Sequence, residues 1–173
     1  MPGRPECSEY PPALARYVAL VPDGDARAHL AAQGRATRDA LRRLPEGSGA
    51  ARYAPGKWSV AEVCGHMADT ERVMAARMLW ALRGGGGTLP GFDQDAFVAA
   101  ARGSRPLAAV VEDLGAVRAA TLALADGAPD DAWLRRCRVD EEAVSARALL
   151  YVIAGHELHH RAVLRDRYAL SMP

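Results

Sequence analysis

An all-α four-helix bundle is the fold class that three observations predict. Apolar residues recur at a spacing near 3.6 over long stretches, and no alternation with a period of two survives beyond a few residues. The punctuation is that of helices, with hydroxyls or acids before a stretch and Pro or Gly after it. Four stretches, about 25–44, 59–83, 106–125 and 145–168, each present one apolar face, and such faces bury against one another as a bundle. The 173 residues make one domain, 1–173, long enough to bury a sizeable core.

Residues 1–12 are Pro-rich and irregular, and the apolar segment Ala13–Val21 with Tyr17 is expected to lie along the bundle. Helix one starts at Val-Pro-Asp-Gly-Asp, with Asp23 expected as the cap and Asp25 in the first turn. Leu30, Thr37, Leu41 and Leu44 share its buried side, and Pro45 and the glycines at 47 and 49 end it. Helix two opens on Ser59 and Glu62, the spacing of a capping box. Its apolar face takes Val60, Val63, Met67, Met74 and Met78, a methionine stripe that reads as core filler. His66 lies at the edge of that face, with Thr70, Val73 and Arg77 along the same side.

Gly84–Gly87 follows a helix and lacks a Lys-Ser/Thr ending, so it is a flexible tract and not a phosphate loop. A long link follows, with a short helix expected from Asp93 to Ala101. It is long enough to cross the bundle, which permits an up-down-down-up order with helices two and four antiparallel. Helix three follows Pro106, with Leu107, Val110, Val111, Leu114, Val117 and Leu122 as its burial candidates. Residues 126–143 read as a loop carrying Trp133 and Cys137.

Helix four carries the chemistry. Leu149, Val152, Ile153, His156, His160, Val163 and Leu164 form one stripe, so two imidazoles sit in the middle of a face that should be buried. Imidazoles left unpartnered there would cost about 1–3 kcal/mol each. Positions 156 and 160 are one turn apart, which suits two ligands of one metal ion. His66 lies seven residues past the start of helix two, and His156 and His160 lie twelve and eight before the end of helix four. Antiparallel packing brings those levels together, and the expected metal ligands are His66, His156 and His160. Three neutral nitrogens leave positions open for water or substrate, the layout of a catalytic site. Imidazole ligation favours Zn or Ni over Mg or Ca.

His156-Glu157-Leu158-His159-His160 also matches H-E-x-x-H literally. A protease is not the reading taken. The extended motif's Gly is missing, thirteen residues follow His160, and no strand is foreseen to hold an extended peptide. Glu157 is the one catalytic candidate, as a base or a support to the ligands, with a surface salt bridge as the bland alternative. His159 reads as a rim residue, Cys64 as core filler, Glu71 as the partner of an Arg, and His29 as surface. Asp93, Gln94 and Asp95 are expected to cap the short helix or to reach the open side of the metal.

Composition limits the partners. Lys and Arg number 22 against 21 Asp and Glu with no block of one sign, so nucleic acid and membrane surfaces are not expected. The sequence shows no membrane-length apolar run and no signal-peptide pattern, and a cytoplasmic location is expected. Cys7, Cys64 and Cys137 have neither metal-type spacing nor a disulfide framework.

Three segments carry a resemblance that spans nearly the whole chain: YAPGKWSVAEVCGHMADTERV at 53–73, LPGFDQDAFV at 89–98 and VSARALLYVIAGHELHHRAVLRDRY at 144–168. In them the chain resembles the DinB/YfiT-like proteins of the DinB superfamily. The resemblance implies a four-helix bundle, often a homodimer, with a divalent metal on one His of helix two and an H-x-x-x-H of helix four, here His66, His156 and His160. It also implies a low-molecular-weight thiol as co-substrate, since relatives include bacillithiol- or mycothiol-dependent S-transferases and maleylpyruvate isomerases. The leading expectation is therefore a metal-dependent enzyme that activates a thiol or water for transfer to, or hydrolysis of, a small electrophile. A non-catalytic metal- or ligand-binding stress protein is the alternative, and a metal-free helical interaction module is a third reading.

Overall fold

The computed structural model describes residues 3–101 and 105–173. Among these described residues six α-helices follow in chain order: α1 (Ala15–Val18), α2 (Ala26–Arg42), α3 (Val60–Leu82), α4 (Gln94–Ala101), α5 (Leu107–Asp126) and α6 (Ala146–Tyr168). The four long ones are the expected bundle helices, and α4 is the expected short helix. Ser59 caps α3 by accepting from the Glu62 amide, and the Glu62 carboxylate returns the bond to the Ser59 amide. The cap of α2 is Asp25, which accepts from the Arg27 amide, and not Asp23, whose carboxylate instead pairs with Arg4.

Side-chain pairs fix the relative directions of the four long helices. Arg27 approaches Asp126 and Arg42 bonds Glu112, so α2 and α5 are antiparallel. Arg72 bonds Asp113, while Ala75 and Leu79 share a groove with Ala120 and Leu124, so α3 and α5 are parallel. The Tyr168 hydroxyl donates to the Trp58 carbonyl at one end, and Arg135 donates to the Leu82 carbonyl near the start of α6 at the other. Helices α3 and α6 are therefore antiparallel, in the expected up-down-down-up order. Helix α6 lies deepest, and residues 148–157 are buried without a break.

The stretch 126–143 is not a plain loop. It holds strands β2 (Arg136–Val139) and β3 (Glu142–Ser145), which pair antiparallel, and β1 (Thr88–Leu89) adds to β2 in parallel. Cys137 faces Val144 and both are buried, while Arg136 and Arg138 point outward. Asp140 makes the turn with φ 49°, a left-handed conformation that Asp tolerates. Its side chain accepts from the Gly91 amide and its own amide donates to the Leu89 carbonyl, which ties the long link to the hairpin. Strands of two and four residues are too short for a period-two signal. Phe92 helps to pin the link: Arg77 lies over its ring and donates to the Pro90 carbonyl, whereas Phe97 is largely exposed.

Candidate metal centre

Three imidazoles meet between α3 and α6. His66 Nε2 lies 3.0 Å from His156 Nε2, and His160 Nε2 lies 3.1 Å from the same atom. All three residues are buried, and one ligand atom from each falls within 4.8 Å of the others. The antiparallel register places them at one level, as the count of residues along each helix foretold. Donors about 2.1 Å from one ion sit roughly 3.0–3.4 Å apart, so the observed spacings suit three ligands of a single centre. Cys64 is wholly buried on another side of α3, and His159 is a partly buried neighbour whose ring packs edge-on against His160 and Tyr17.

The surroundings keep these imidazoles neutral. Burial pushes His66 down to about 4, with the Asp95 carboxylate opposing the shift and His159 adding to it. Burial, followed by His66, His159 and Arg16, pushes His160 down to about 3. His156 falls well below its ordinary value, from burial first and the other histidines next. Neutral imidazole is the form that offers a lone pair to a metal. The Thr70 hydroxyl lies 3.4 Å from His66 Nδ1, which turns Nε2 toward the cluster. The Trp58 ring flanks His66 and the Tyr17 ring flanks His156.

Glu157 is adjacent in sequence to His156, and its carboxylate is engaged with α2 and α5. It is buried and accepts from Gln33 Nε2 at 2.7 Å, from the Thr37 hydroxyl and from Arg118 Nη2 at 2.8 Å. The surface salt bridge weighed as its bland reading is thus replaced by a buried network. Glu71, expected to meet an Arg, receives two bonds from the same Arg118, at 2.9 and 2.8 Å. Burial works against the Arg118 charge, but Glu71 and Glu157 outweigh it and raise its pKa. Asp93 caps α4 through the amides of Asp95 and Ala96. Of the acidic pair at 93 and 95, Asp95 is the one whose charge acts on His66.

Two features at the site escaped the sequence reading. One is Gly155, where a Cβ would overlap the Tyr17 carbonyl, so its missing side chain lets the α1 backbone lie directly on α6 beside His156. A lone Gly inside an otherwise strong helical stretch was the available signal. The other is a cavity of about 740 Å³ on the far side of His66, walled by α3, α4, α5 and the turn at 46–52. Its volume falls in the range of small-molecule sites.

Several solved structures share this architecture at low sequence identity. YfiT from Bacillus subtilis, described as a probable metal-dependent hydrolase with an unusual four-helix bundle topology, superposes with a TM-score of 0.70 at 19% identity, over 84% of this chain and 87% of its own. A mycothiol-dependent maleylpyruvate isomerase gives 0.68 at 12% identity, over 85% of this chain. This chain spans 60% of that enzyme's length. The DinB-like protein YjoA from Bacillus subtilis gives 0.62 at 16%, over 87% and 96%. No curated protein matches the chain. Among the described residues no helix is long and apolar enough to cross a membrane. The sequence model of the DinB superfamily matches residues 29–164, most of the bundle and all three histidines, and the chain belongs to that superfamily.

Proposed function

We propose that the protein is a metal-dependent enzyme in which His66, His156 and His160 hold one divalent ion, Zn or Ni by ligand type, at a site that acts on a small electrophile. The observation that carries this reading is the convergence of three buried Nε2 atoms with no carboxylate among them. When bound, such an ion supplies a Lewis acid that lowers the pKa of a water or thiol in its remaining positions. Thr70 holds the His66 ring by its far nitrogen, Trp58 and Tyr17 restrict water, and the cavity beside His66 admits the substrate. Glu157 serves by fixing α6 next to His156, since both its oxygens are engaged with Gln33, Thr37 and Arg118. Hydrolysis and transfer of a low-molecular-weight thiol are the two reactions that fit, and the structural neighbours described as a hydrolase and as mycothiol-dependent support both. A homodimer with a small-molecule substrate, in the cytoplasm, completes the reading.

Metal analysis of the purified protein tests it. About one divalent ion per chain is expected, with most of it lost in His156→Ala. Full occupancy in that variant would overturn the ligand set. An electrophile panel run with and without added thiol then separates transfer from hydrolysis.

A further inference from the structure

Gly65 sits in the interior of α3, immediately before His66. Glycine there weakens a helix relative to alanine, because it has more freedom to lose and no side chain to pack. Two reasons usually keep such a glycine: a left-handed backbone, or a neighbour too close for a Cβ. Neither applies. Gly65 is not among the positive-φ glycines, and a Cβ built on it meets nothing within 4 Å outside its own helix. What it does face is space, since Gly65 and His66 both line the cavity of about 740 Å³.

The chemistry of that space is legible from its walls. The apolar ones include Ala61, Val98, Leu107 and Val110. The charged groups around them are mostly matched: Arg52 holds Glu62 at 2.6 Å, and Asp113 holds Arg72 at 2.5 Å and Arg105 at 2.8 Å. Asp69 is also paired with Arg72, and Glu46 lies on the exposed outer edge. Among the described residues an ionic ligand would find few unpaired partners there, whereas an apolar one gains by leaving water.

We infer that Gly65 is a specificity-determining residue, whose missing side chain makes room beside His66 for an uncharged, largely apolar group of the substrate, a ring or larger. This rests on the reading of the three histidines as the reactive centre. The fold gives up helix stability at Gly65, and in exchange leaves open volume beside His66.

The test uses the uncharged fluorescent amine N-phenyl-1-naphthylamine, titrated into the purified wild type, Gly65→Ala and Gly65→Leu, with metal content and melting temperature read on the same samples. The wild type should bind the probe. Gly65→Ala should melt about 2–4 °C higher, as a better helix former with nothing to strike, and bind about threefold more weakly. Gly65→Leu should bind at least about tenfold more weakly with unchanged metal content. The inference is overturned by a wild type that does not bind, by Gly65→Ala melting lower, or by equal binding across the variants, the result expected if the probe lodged in the outer groove between Ala75 and Ala120. Gly65→Ala alone decides the matter where the leucine variant does not fold. The metal content decides a separate point: a wild type that takes up no metal fails the histidine reading, and the probe titration still stands or falls on its own.

Discussion

Helices α3 and α6 each bring a Gly-His step to the centre of the bundle, Gly65-His66 and Gly155-His156, and the surroundings of the two steps are opposite. At Gly155 the α1 backbone presses against the helix and no side chain can be admitted. At Gly65 nothing outside the helix comes near. One wall of the histidine cluster is thus closed by the protein itself, and the other opens on a cavity. The closed wall is fastened further at the start of α6, where the buried Glu9 accepts from Ser145 at 2.7 Å and pairs with Arg147, holding the N-terminal segment in place. The lesson is that one dipeptide can be kept for packing in one helix and for space in the other, and only the tertiary neighbours tell them apart.

Arg118 joins the two walls, so its removal is the largest break in the comparison. It binds Glu71 on α3, Glu157 on α6 and the Leu30 carbonyl on α2. Arg118→Met leaves two buried carboxylates without their cation and should cost about 3–5 kcal/mol in denaturant unfolding. Replacing both Glu71 and Glu157 by Gln in the same chain should recover part of that loss, the coupling being read as a mutant cycle. No recovery would mean that Arg118 acts through packing.

Gly155→Ala should cost about 3 kcal/mol, the upper end of overpacking, because the obstruction is backbone and cannot rotate away. Adding Tyr17→Ala should not relieve it, since the clash is with the Tyr17 carbonyl. Thermal melts compare the two, and the contrast with Gly65→Ala, of opposite sign, is the sharpest form of the comparison.

Glu9→Gln should cost about 2 kcal/mol near neutral pH. Burial raises the Glu9 pKa, but the bonds from Arg147, the Glu6 amide and Ser145 outweigh it and hold the group down at about 2. A depressed carboxylate stabilises the fold above its unfolded pKa, near 4.5, and that share is lost as the pH falls through 2. The difference between wild type and variant should be full at pH 6 and shrink steadily between about 4.5 and 2. A difference that stays constant with pH would assign it to packing.

The smallest effect belongs to the open side. Asp93→Ala should lose about 1 kcal/mol through the α4 cap. Asp95→Ala should leave the melt within about 0.5 kcal/mol and be felt in metal affinity, because its charge acts on His66. Equal melts for both variants would remove the capping assignment.

Much of the bundle was legible because each of its signals is local. The Ser59–Glu62 capping box, the 3.6 spacing and the pair at 156 and 160 need no partner to be read, and counting along two antiparallel helices was enough to add His66. What could not be read depends on chain far away. Arg118 looks like any charged residue on an amphipathic helix until residues 39, 47 and 88 positions away close around it. Glu157 looks like surface or a base for the same reason. The hairpin at 136–145 is too short for a period, and the choice of Asp25 over Asp23 as cap turned on two residues that are equally good formers. Gly65 and Gly155 are the same letter, and their difference lies entirely in neighbours that no local window contains.

The topology also has a kinetic consequence. His66 and His156 are 90 positions apart, and Gln33 reaches across 121 to Ala154. Contacts of that span require long loops to close before any of them is rewarded, and rates fall as the mean separation of contacting residues rises. The parallel pairing of α3 with α5 also denies the chain the quick hairpin by which up-down bundles begin. Though its core is a helix bundle, this protein should fold more slowly than bundles of its size joined by short turns, and the docking of α6, buried without interruption from 148 to 157, is the step that commits it.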